Sequence, residues 1–166
     1  MPFSTVQAST RKVQGTPADQ AKTTLGQIEE SAASAADEAY PLQQIGTGLS
    51  PDSHQVYLME LKDDINRMGR EISSLNAESG SLAPWEKQAI DKVEPLLRET
   101  AGNVQKAIED FNQNRNDLWR ADYRNSLADA RQESAQIAKS LKDYLKYAKA
   151  HDQEQQLSGS LTGGGQ

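Results

Sequence analysis

A single acidic chain of 166 residues with a net charge of −6 suits one domain, and its field opposes nucleic acid and anionic lipid at long range. The absence of Cys removes disulfides and thiolate catalysis. Leu, Ile, Val and Phe make up only 29 of the 166 residues, so order must come from apolar residues set in strict period rather than from a thick core.

Residues 1–15 are polar and aperiodic and read as a flexible tail. They lack the hydrophobic stretch of an export signal, although Val6-Gln7-Ala8 has the form of a cleavage-site stub, as in the mature fragment of an exported bacterial-type precursor. The compartment is not otherwise legible. Helix A is expected over 17–39. Thr16 supplies an N-cap, Pro17 suits the first turn, and Asp19 sits where a capping carboxylate helps. Its inner face, Ala18, Ala21, Leu25, Ile28, Ala32, Ala35 or Ala36, and Ala39, is mostly small. Pro41 biases Tyr40 away from helix and sets the expected end near 39. A loop with Gly46-Thr47-Gly48 follows.

Ser50-Pro51-Asp52 opens helix B, expected over 51–78. Leu58, Leu61, Ile65, Met68, Ile72 and Leu75 follow 3/4 spacing as a heptad seam, and Gly80 stops the helix. Helix C is expected over 84–112, with Glu86 in its first turn. Its seam reads Ile90, Val93, Leu97, Ala101, Val104, Ile108 and Phe111, and Pro95 lies inside it. The pattern breaks after Phe111, which favours a turn within 112–120 over one continuous helix. Helix D is expected over 118–152, through Trp119, Tyr123, Leu127, Ala130, Ile137, Leu141, Tyr144, Leu145 and Ala148. A flexible Gly-rich tail is expected over 154–166.

These elements predict an all-α fold: an antiparallel up-and-down four-helix bundle across 16–153. The competing arrangement is a three-helix bundle of the last three helices with a loose first helix, because helix A has the fewest large apolar residues. Gly26, Gly69 and Gly102 fall inside helices and read as surface positions with no packing role.

The chain offers little for catalysis or cofactors. Bundle metal sites use Glu-x-x-His on two helices, whereas Pro51 and Ala148 stand three residues before the two histidines, His54 and His151. His54 reads as a first-turn surface residue, and His151 as a complement to a helix C-terminus. No nucleophile elbow is present, and Gly46-x-Gly48 lacks the rest of a dinucleotide fingerprint. Asp63-Asp64 and Glu29-Glu30 point to different helix faces and form no carboxylate dyad. The sequence therefore points to no catalytic residue, no metal ligand, no cofactor, no nucleic-acid partner and no transmembrane segment.

Two features suggest interaction surfaces. Arg115, Trp119, Arg120, Tyr123 and Arg124 interleave guanidinium and aromatic groups, the composition of interface hot spots. The plainer reading makes Trp119 and Tyr123 a plug at the bundle end, with arginines paired to Asp117 and Asp122. Lys139, Lys142, Lys146 and Lys149 form a stripe at 3, 4, 3 spacing beside Tyr144 and Tyr147. Its plainer reading is a solvated face near a helix C-terminus. The expected function is a non-enzymatic structural or protein–protein interaction module, with a protein partner or self-association through helix B. The alternative is a peripheral surface-binding amphipathic protein using the lysine stripe.

Overall fold

The computed structural model describes residues 16–44 and 48–162. The expected N-terminal tail at 1–15 and the loop glycine Gly46 lie outside these residues. Four α-helices carry the chain: α1 (Pro17–Gln43), α2 (Pro51–Ala77), α3 (Pro84–Gln113) and α4 (Ala121–Thr162). A short 3₁₀ turn, Ser79–Ser81, joins α2 to α3. Each helix packs along its neighbours in sequence, and α4 closes the ring against α1. Polar contacts fix the directions. The C-terminus of α1 meets the start of α4 through Arg124 and Gln43, and the start of α1 meets the far part of α4 through Lys22 and Asp152. The fold is an all-α antiparallel four-helix bundle.

The helix starts follow from local hydrogen bonding. Thr16 Oγ1 accepts from the Asp19 N–H at 3.2 Å, while Asp19 Oδ2 accepts from the Thr16 N–H at 3.1 Å, a reciprocal capping box. Ser50 Oγ accepts from the Ser53 N–H at 3.2 Å to start α2. In α3, Glu86 reaches back and accepts from the Ala83 N–H at 2.7 Å, which gives this buried carboxylate a charge-assisted partner.

The loose first helix of the competing arrangement does not occur. The α1–α4 and α3–α4 seams are the most extensive in the molecule, and the α2–α3 seam is the thinnest. The large-residue count misjudged α1 because Ala21, Ala32, Ala35 and Ala39 are buried, and small side chains let two helix axes approach closely. The α2 seam from Leu58 to Leu75 is buried inside the bundle, so it is not a free face for self-association.

Four boundaries or positions differ from expectation. Helix α1 passes through Pro41 to Gln43. Leu42 is buried there, Gln44 N–H donates to the Pro41 carbonyl, and Arg124 Nε donates to the Gln43 carbonyl at 3.2 Å, so the last turn keeps its partners despite the proline. Helices α3 and α4 are separate, as the break in pattern after Phe111 favours, but α4 starts at Ala121 rather than 118. Asn114, Asp117 and Arg120 link successive turns between them (Asp117 N–H to Asn114 O, Arg120 N–H to Asp117 O). The α3 seam runs 97, 100, 104, 107, 111, so Thr100 and Ala107 are buried in place of Ala101 and Ile108. Thr100 can be buried because its hydroxyl donates to the Leu96 carbonyl at 2.7 Å. Finally, α4 runs to Thr162, well past the expected end at 152.

Candidate functional site

The two ends of the bundle differ in how they treat their aromatic residues. One end gathers the C-termini of α1 and α3 with the N-termini of α2 and α4. Tyr123 fills it, at 1% exposure, and shares a 2.9 Å hydrogen bond with Nδ1 of His54, itself only 6% exposed. His54 is therefore a buried residue and not the surface position its place in the first turn of α2 suggested. Burial favours the neutral imidazole and lowers the His54 pKa; burial likewise raises that of the Tyr123 hydroxyl. Arg115 donates to Asp52 at 3.0 Å and Gln55 at 2.7 Å and lies 5.1 Å from the Phe111 ring centroid. Arg124 caps α1, and the Arg120 carbonyl accepts the Arg124 N–H in the first turn of α4. Most of this Arg–aromatic corner thus holds helix ends together. Trp119 is the exception: it is 68% exposed and plugs nothing.

Along the α1–α2 seam lies a pair of constrained carboxyls. Asp64 is buried and bonds Arg67 at 3.0 Å, and Arg67 also reaches the Ser31 hydroxyl at 3.5 Å. Glu38 accepts from Ser34 at 3.2 Å, but its buried Oε2 has no partner among the described residues. Burial first, then the nearby Asp64 charge, raises the Glu38 pKa to about 7. On the α3–α4 side, Asn103 donates to both oxygens of Glu133 at 3.0 and 3.1 Å, and burial raises the Glu133 pKa. Among the described residues no three His, Asp or Glu side chains cluster as a metal-binding group.

The opposite end is open. A cleft of about 370 Å³ lies between the start of α3 and α4, lined by Pro84, Trp85, Gln88, Asp143, Tyr144 and Tyr147. A second groove of about 440 Å³ shares Trp85 and Tyr147 and continues past Lys22, His151 and Asp152. Tyr147 is 57% exposed, and its ring centroid is 6.1 Å from that of His151. Both volumes fall within the range of ligand and peptide sites. Asp143 accepts from Lys139 at 2.7 Å, and that bond holds its carboxyl below the usual range. Beyond Asp152, every described residue of α4 is exposed, and Leu157 and Leu161 stand 65% and 82% exposed.

No protein family, curated protein or solved structure matches this chain. Its functional reading rests on the surface alone.

The nominated lysines, Lys139, Lys142, Lys146 and Lys149, all lie exposed on α4. The structure does not bring them together with Arg115, Arg120 or Arg124, which sit at the sealed end. Trp85 was missed as a site residue. Its signal was available, since an aromatic at the second position of α3 lies at the bundle end, where Trp85 packs only in part against the core. The α4 extension was missed because Gly159 and the serines weigh against helix.

Proposed function

We propose that the chain is a non-enzymatic protein-interaction module that docks a partner at its open end. The observation carrying this reading is the aromatic cleft of Trp85, Tyr144 and Tyr147. Partly buried Trp85 and Tyr144 beside the exposed Tyr147 and polar groups have the composition of interface hot spots, because each ring gives much contact area at little entropic cost. The sealed end supports the same reading by contrast, since its Tyr123 and most of its arginines are consumed by contacts within the chain. His54 is bonded to Tyr123 of α4, Asp64 and Thr100 are bonded to Arg67 and Leu96 of their own helices, and none of these buried polar groups lines the aromatic cleft.

The test is differential capture. The full chain is immobilised and bound proteins are compared for wild type, Trp85→Ala, Tyr147→Ser and Trp119→Ser, with circular dichroism to verify folding. A partner retained by wild type and Trp119→Ser, and weakened about tenfold or more by Tyr147→Ser, agrees with a hot-spot role. Equal capture by all four chains, or loss only with Trp119→Ser, contradicts it.

A further inference from the structure

The outward face of α4 carries a second surface on a different flank of the helix from the aromatic cleft. Lys139, Lys142, Lys146 and Lys149 are all exposed and share one face by their 3/4 spacing. Lys139 is tied to Asp143, whereas Lys142, Lys146 and Lys149 make no ion pair among the described residues. The same stepping continued from Lys146 through Ala150 and Gln153 arrives at Leu157 and Leu161. These two leucines stand on the part of α4 that projects past its last buried residue, Ala148. Asp143, Asp152 and Glu154 are the acidic residues of α4 beside this line, with Asp143 bonded to Lys139 and Asp152 to Lys22.

We propose that this face docks on an anionic lipid surface, with the lysines meeting headgroups and Leu157 and Leu161 entering the interface. Charge complementarity carries the assignment. The chain is acidic overall, yet this strip carries four lysines against one paired carboxylate, Asp143, and salt screens more distant exposed charges over about 8 Å. The strip lies on a convex helix, without a groove to receive a chain, and long lysine side chains can reach a flat sheet of charge together. The projecting tip supplies what the lysines lack, since electrostatics alone gives weak attachment while two apolar side chains at the same level add burial. No described helix is long and apolar enough to cross a membrane, so the contact lies at the surface.

Co-flotation of the full chain with vesicles tests this. One set holds phosphatidylcholine alone and the other equal parts phosphatidylcholine and phosphatidylserine, at low and at physiological salt. Binding is expected to the anionic set only and to fall with salt. Lys142→Gln, Lys146→Gln and Lys149→Gln should each weaken the partition about fivefold. Leu157→Ser with Leu161→Ser should weaken it at unchanged charge. These positions are exposed, so circular dichroism should be unaffected. No flotation at low salt overturns the proposal, as does binding that the lysine variants leave unchanged. Retention on soluble heparin without flotation also overturns it and points to an acidic macromolecule instead. The cleft variant Tyr147→Ser should float like wild type, which separates this surface from the protein-docking end.

Discussion

At the sealed end a tyrosine is 1% exposed and hydrogen-bonded to a buried histidine; at the open end a tyrosine is 57% exposed beside a cleft. The two positions have similar polar surroundings in sequence, Tyr123 between Asp122 and Arg124 and Tyr147 between Lys146 and Ala148-Lys149. The difference lies in what surrounds each helix. Tyr123 sits where α4 begins under α1 and α2, so its ring has apolar neighbours and its hydroxyl has His54. Tyr147 sits on a flank of α4 where the start of α3 leaves space. Composition alone therefore fails to separate a plug from a docking surface. Position along the bundle decides it.

The largest effect expected from this contrast is on stability at the sealed end. Tyr123→Ala removes a fully buried ring and should cost about 3–5 kcal/mol by chemical denaturation. Tyr123→Phe keeps the ring but leaves His54 without its partner, for a smaller loss of about 1 kcal/mol. A Tyr123→Ala cost below that of Tyr123→Phe would break the assignment of the ring as the plug.

Two proton-linked groups should act in opposite directions. The fold holds His54 neutral with a pKa below its ordinary 6.5, so its contribution is present above that value and is lost as the pH falls through the lowered pKa. Glu38 has a raised pKa, so its contribution is complete below the ordinary 4.5 and is lost as the pH rises through about 7. Unfolding of Glu38→Gln across pH 5 to 8 should lack this alkaline loss, which amounts to about 1 kcal/mol after solvent screening. His54→Gln should instead lose the acid-side dependence. Identical pH profiles for wild type and both variants would show that neither group titrates with folding.

A smaller gain is expected at Ser134, whose buried hydroxyl has no hydrogen-bond partner among the described residues. Ser134→Ala should stabilise the chain by about 1 kcal/mol in the same denaturation assay. Trp119→Ser should change stability by less than about 0.5 kcal/mol, since exposed side chains carry little. A large loss there would return Trp119 to the plug.

The sequence made the helices legible where large apolar residues keep strict spacing. The expected end of α2 lies one residue beyond the observed one, and that of α3 one residue short, because Leu58 to Leu75 and Ile90 to Phe111 mark their seams. It was less informative where burial depends on close approach or on hydrogen bonding. The alanines of α1 look weak by volume but form its tight seam. Thr100 looks polar but satisfies itself on its own helix. His54 looks exposed in a first turn until Tyr123 arrives from 69 residues away. The lysine stripe was visible as a stripe, whereas the aromatic cleft needed the fold to set Trp85 beside Tyr144 and Tyr147. The end of α4 was misjudged from glycine and serine content, which is a weak local preference.

Tyr123 closes one end of the bundle, with Trp119 and Tyr40 exposed beside it, and the projecting part of α4 at the other end contributes no buried residue. Thermal unfolding of a chain ending at Asp152 tests this most directly, with Tyr123→Ala as the reference. The expected Tm is unchanged by removal of the projecting part of α4, against a fall of about 10 °C for Tyr123→Ala. A comparable fall on removing residues 153–166 would contradict it, because that segment would then be part of what holds the bundle together.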